Sequence, residues 1–104
     1  MNTPMQSTAA AHPMKLFTLP EGLQVWNGPE SGSDTQFLYR ENFQRRCYEK
    51  HGVAASDGAV VFDVGGNIGM FALSLMTRFR DLRIFCFEPV PGTFVCLERN
   101  LHES

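Results

Sequence analysis

The stretch Val60-Val61-Phe62-Asp63-Val64-Gly65-Gly66-Asn67-Ile68-Gly69-Met70-Phe71 constrains the fold of this chain more than any other. It begins as a continuous apolar run, the pattern of a strand buried on both faces. The run meets a carboxylate at Asp63 and three glycines at 65, 66 and 69, and then its period changes. Ile68, Phe71, Ala72, Leu75, Met76 and Phe79 recur at the spacing of one helix face. Strand, glycine turn and helix in that order open a βαβ unit, in which a ligand can lie on the turn.

Glycine allows the chain to reverse from strand to helix within a few residues, because it takes positive φ at little cost. Its bare backbone also lets a ligand come close. Asn67, where the helical period begins, can cap the first free amides or present a polar group to the ligand. The flanks say which ligand. A dinucleotide fold lays a pyrophosphate on this turn, and Asp63, two residues before the first glycine, would repel it. The G-x-G-x-x-G fingerprint fails as well: counted from Gly65, its later glycine positions hold Asn67 and Met70. A ligand carrying an ammonium group and hydroxyls but no phosphate suits this carboxylate better, and S-adenosylmethionine is one.

Arg83-Ile84-Phe85-Cys86-Phe87-Glu88-Pro89 reads as a second buried strand with an acid at its carboxyl end, nineteen residues beyond Gly69. βαβ folds grip ribose hydroxyls with an acid at about that separation. Pro89 stops the strand and Pro91 suits the first turn of the next helix. Phe94, Leu97 and Leu101 supply that helix with an apolar face. The two strands are expected near 59–64 and 83–88, parallel and adjacent, with helices near 68–79 and 91–101.

Together, FDVGGNIGMFAL and FEPVPGTFVCLERNL resemble the FkbM-type methyltransferases, across roughly residues 34–101. The family pattern is a D-V-G-A-N-I-G-like loop followed by F-E-P-x-P-x-x-F-x-x-L-x-x-N. Gly66 stands where the family usually has Ala, and Asn100 falls on the final Asn. The resemblance implies a class I, Rossmann-like fold and S-adenosyl-L-methionine as cofactor. Asp63, Gly65, Gly66, Asn67 and Gly69 would hold its methionine end and Glu88 its ribose. It also implies an aromatic- and acid-bearing helix approaching the cofactor, which makes Tyr39 and Glu41 further cofactor-binding candidates. No catalytic base is identified; His51 closes a helix, where a basic residue usually serves structure. The family-level acceptor is a small-molecule hydroxyl on a sugar or natural product.

The remainder is read from the residues. Positions 1–14 hold no Lys, Arg, Asp or Glu and lack the basic region and apolar core of a signal peptide, so a disordered leader is expected. Residues 15–27 alternate around Pro20-Glu21-Gly22 as a β-hairpin, with Trp26 anchoring it to the core, and a loop runs to Ser33. Asp34 to Lys50 reads as a helix capped by Asp34, with Tyr39, Phe43 and Cys47 on one face and His51-Gly52 at its end. A net charge of −2 without a basic cluster argues against nucleic acid as partner. An apolar run long enough to span a membrane is absent. The 3 cysteines have no metal-ligand spacing, fit reduced thiols, and point to a cytoplasmic protein that holds no metal.

The fold class is therefore α/β: a partial class I methyltransferase core, with an N-terminal β-hairpin and helix before the first βαβ unit. Such a core has about seven strands, and two are found here, so residues 34–104 are expected to be the N-terminal part of a truncated or split methyltransferase domain. The missing C-terminal half is then a possible partner, and the chain alone is expected to be inactive. The alternatives are a non-catalytic fragment used as a binding or assembly module and, disfavoured by Asp63, a nicotinamide-dependent oxidoreductase.

Overall fold

A computed structural model describes residues 12–47 and 55–104. Strands β1 (Lys15–Thr18) and β2 (Gln24–Asn27) pair antiparallel, Leu16 opposite Trp26, as the alternation predicts. The turn between them is a short 3-10 segment, Pro20–Gly22, in which Glu21 and Gly22 both take positive φ, 64° and 84°. The Leu19 amide closes it by donating to Leu23 O at 2.7 Å. Leu19 and Val25 point inward, 4% and 0% exposed, so the hairpin carries one wall of the core.

Helix α1 spans Gly32–Tyr39 and runs on as a π-helical turn over Arg40–Gln44. Its start, and its course beyond Tyr39, differ from the sequence expectation. The helix starts before Asp34, because the buried Thr35 hydroxyl donates to Ser31 O (2.6 Å) and accepts from Asn27 Nδ2 (2.9 Å); Asp34 sits in the first turn and does not cap. The widened turn has a local cause. The Asn42 side chain donates to Leu38 O (2.9 Å), the carbonyl an α-helical Asn42 amide would use, and the Arg45 amide reaches back five residues to Arg40 O. His51 and Gly52 lie outside the described residues, as does the leader up to residue 11.

Strands β3 (Val60–Val64) and β4 (Arg83–Phe87) are parallel and paired in register, Val60 with Arg83 through Val64 with Phe87. Helix α2 (Met70–Met76) joins them and α3 (Pro91–His102) follows β4, with Pro91 in its first turn. The strand–helix–strand–helix order thus matches the apolar pattern. The buried faces of the helices are rotated from it. In α2, Met70, Ala72, Leu73 and Leu75 are buried while Met76 is 42% exposed. In α3, Val95, Cys96 and Leu97 are buried and Phe94 is 40% exposed. The cause is tertiary: Met70, Leu73 and Cys96 join Leu19, Val25, Tyr39 and Ile68 in one cluster, so the hairpin and α1 decide which side turns inward. Burying a large apolar side chain such as Ile68 or Met70 contributes about 1.5–3 kcal/mol.

The sheet has two unlike faces. Val61, Asp63, Ile84 and Cys86 are half-buried. Val60, Phe62, Val64, Phe85 and Phe87 are 48–82% exposed. The architecture is mixed α/β, compatible with part of a Rossmann-like core.

Candidate functional site

The glycine loop leaves β3 at its carboxyl end and is fastened to the end of β4. Phe87 O accepts from both Gly65 N (2.7 Å) and Gly66 N (3.1 Å). The next amide, Asn67 N, donates to Glu88 Oε1 at 2.8 Å, and the second oxygen, Oε2, accepts from Val90 N at 3.0 Å. Glu88 therefore ties the loop to its own strand end, a role the sequence did not announce. An ionised carboxylate has about four acceptor positions, and two are used, so the group can still receive two hydroxyls.

Two glycines have visible reasons. Gly69 precedes α2 with φ 93°, which ends the turn and delays the helix to Met70. At Gly66 a Cβ would sit 3.0 Å from Leu97 Cδ1 and 3.3 Å from Asp63 Oδ2. A side chain at 66 would therefore fit between α3 and the first acid only if those neighbours gave way. Asn67, with φ 54°, is exposed and lies outside the helix, so it caps nothing and presents its side chain to solvent beside Glu88.

Asp63 shares a strand face with Cys86, whose Sγ is 4.0 Å from Oδ2. Burial raises the Asp63 pKa above its ordinary value, and the negative charge of Glu88 raises it further. Cys86 is pushed up to about 11 by burial and then by Asp63, so it is a protonated thiol at neutral pH. Two carboxylates thus converge beside the loop, and at least one lacks comfortable solvation. Such a place favours a cation.

Tyr39 is 6% exposed and stacks on Phe43 (centroids 5.2 Å apart) within the cluster that holds Ile68 and Met70. It packs behind the loop. Glu41, on the π turn, pairs with Arg45 at 3.5 Å and accepts from the Cys47 thiol. A cleft of about 520 Å³ lined by Phe17, Leu19, Thr35 and Arg40 opens on the hairpin side, and Asp63 and Glu88 take no part in it. Among the described residues there is no group of three or more His, Cys, Asp or Glu placed to hold a metal, and no helix long and apolar enough to cross a membrane.

Asn100 was legible only as a motif position. It is 4% exposed and bonded to the backbone of two distant segments, Trp26 and Ile68. A signal existed: a polar residue three positions beyond Leu97, in line with the apolar stripe of α3.

No family model matches the chain, and no solved structure matches it. Curated proteins do. The chain is 45% identical over 82 residues to the 31-O-demethyl-FK506 methyltransferase FkbM of Streptomyces tacrolimicus, covering 79% of this chain and 31% of that protein. It is 32% identical over 83 residues to Methyltransferase 1 of Beauveria bassiana, 80% of this chain and 32% of the relative. Methyltransferase sdnD of Sordaria araneosa is 34% identical over 68 residues, 65% and 26% of the respective lengths. The chain spans about a third of the length of these relatives. Over the stretch it shares with them, the chain is similar to methyltransferases, among them the FkbM methyltransferase of Streptomyces tacrolimicus.

Proposed function

We propose that this stretch is the cofactor-binding, N-terminal portion of an S-adenosyl-L-methionine-dependent methyltransferase that transfers to a small-molecule hydroxyl. The observation that carries the reading is the state of the loop amides. Gly65, Gly66 and Asn67 spend their N–H groups on Phe87 O and Glu88, so they do not form an open nest for a phosphate. Asp63 meanwhile has an anion, Glu88, as its charged neighbour. A ligand with a cationic end and vicinal hydroxyls satisfies both acids, and a dinucleotide pyrophosphate satisfies neither.

The cofactor would supply an activated methyl group on a sulfonium, open to direct displacement by an acceptor oxygen. The chain's own residues orient and hold. Glu88 receives ribose hydroxyls through charge-assisted bonds while keeping the loop tied through Asn67. Asp63, Gly65, Gly66, Asn67 and Gly69 hold the methionine end, while Tyr39, buried behind the loop, and Glu41, paired with Arg45 on the π turn, support the site from behind without touching the cofactor. Placement of the reactants then carries most of the rate. The printed name of the Streptomyces relative, a methyltransferase of 31-O-demethyl-FK506, favours a hydroxyl on a natural product as acceptor. The remaining length of the relatives would supply the acceptor side. A second reading, an assembly module without catalysis, draws on the apolar residues bare on one sheet face.

The test is calorimetry on a chain completed to the length of the relatives. Glu88→Ala should weaken S-adenosylhomocysteine binding by about 1.5–3 kcal/mol, the range for a bond to a charged group. An unchanged dissociation constant, or tighter binding of NAD than of S-adenosylhomocysteine, would refute the proposal.

A further inference from the structure

We infer that Asn100 is a positioning residue for the cofactor loop, which it couples to the amino-terminal hairpin. The inference rests on the cofactor reading of that loop and concerns a residue that would not touch the cofactor. Both donors of its side-chain amide and its oxygen are engaged. Oδ1 accepts from Trp26 N at 2.6 Å, and Nδ2 donates to Trp26 O at 3.0 Å and to Ile68 O at 2.7 Å. Both backbone polar groups of Trp26 are thus taken by one side chain, which acts on β2 as a neighbouring strand would. Its remaining donor holds the loop.

Ile68 is the residue where a tie matters. It lies between Asn67 and Gly69, whose φ angles of 54° and 93° are both left-handed. A non-glycine residue in that region is held there by its surroundings. Residues 87 and 88 fasten Gly65, Gly66 and Asn67. Asn100 fastens Ile68, where the chain turns into α2. The loop is therefore held from β4 on one flank and from α3 on the other. The α3 anchor is itself locked to the hairpin: Trp26 Nε1 donates to Glu103 Oε1 at 3.1 Å, and the Arg99 guanidinium lies 3.7 Å from the Trp26 ring centre. A hairpin far from the site in sequence thereby sets the loop's geometry.

Asn100→Asp keeps the size and the acceptor for Trp26 N but turns an oxygen toward two carbonyls. In the 104-residue chain, amide hydrogen exchange at Asn67 and Gly69 should quicken about tenfold, while β3 and β4 amides keep their protection. Glu103→Gln, which weakens only the outer contacts, should leave the loop amides within about twofold of wild type. A uniform quickening across both strands would overturn the inference, because it would mark Asn100 as a core residue and nothing more. If Asn100→Asp does not fold, the wild type decides. On titration with S-adenosylhomocysteine, the Asn100 side-chain NH2 signals should shift in step with the loop amides, and fixed NH2 signals beside shifting loop amides would overturn it. A loop loosened by Asn100→Asp in a chain extended to the length of the relatives, whose spectrum nevertheless ignores S-adenosylhomocysteine, would uphold the tie and overturn the cofactor reading instead.

Discussion

The two faces of the β3–β4 sheet have similar apolar chemistry and opposite fates. On one, Val61, Asp63, Ile84 and Cys86 are half-buried, and a side chain added at Gly66 would press on Leu97 of α3 and on Cys86. On the other, Phe62 and Phe85 stack on each other (5.2 Å between centroids) and remain 65% and 48% exposed. Parallel strands normally have both faces covered. The contrast separates the face that the described residues partly cover from the one they leave bare. The loop and its two acids sit at the strand ends, with their supports on the covered side.

The largest effect should come from covering the bare face. Extending the chain to the length of its relatives should raise the melting temperature by several degrees or more and allow methyl transfer to hydroxylated acceptors. The 104 residues alone should show no turnover above background. Activity in the short chain would mean that the bare face is irrelevant to function.

Next in size is the covered side itself. Leu75, 2% exposed, should cost about 2–5 kcal/mol when cut to Ala, measured by denaturant unfolding. Phe62→Ser, on the bare face, should change stability by about 0.5 kcal/mol or less and reduce concentration-dependent association seen by sedimentation. Equal losses at the two sites would erase the comparison.

These strands could be read from sequence because a continuous apolar run between glycine and proline signals leaves few alternatives. The hairpin was legible for a similar reason: Pro20 and Gly22 sit where a turn needs them. The helix faces were less legible. Burial of Met70 and Leu73 depends on a hairpin whose arrival no local period encodes. The π turn comes from one side chain, Asn42, competing for one carbonyl. Asp63 and Glu88 stood out as acids at strand ends, but the second job of Glu88 needed the loop geometry. Asn100 was hidden because its partners lie 74 and 32 residues away.

A smaller effect separates the site from the sheet that carries it. Asp63 has a raised pKa in the fold, from burial first and Glu88 second. Its contribution to stability is fully present below the ordinary value of 3.8 and is lost as pH rises through the higher folded value. At neutral pH the ionised Asp63 therefore costs stability. Asp63→Asn should raise the melting temperature at pH 7, with the gain vanishing at low pH, and should weaken cofactor binding in the completed domain. A variant less stable than wild type at pH 7 would contradict this sign.

The smallest shift expected is at Cys86. With its pKa at about 11, the thiol should alkylate slowly at pH 8, and Asp63→Asn should quicken the reaction by removing the second of its two causes. No change would mean that Asp63 does not act on Cys86.

The most direct test of the central claim is a crystal structure of the completed domain with S-adenosylhomocysteine. Ribose hydroxyls should lie within hydrogen-bond distance of Glu88, with the methionine end beside Asp63 and the Gly65–Gly69 loop. A ligand bound elsewhere, or ribose hydroxyls held by groups other than Glu88, would contradict it.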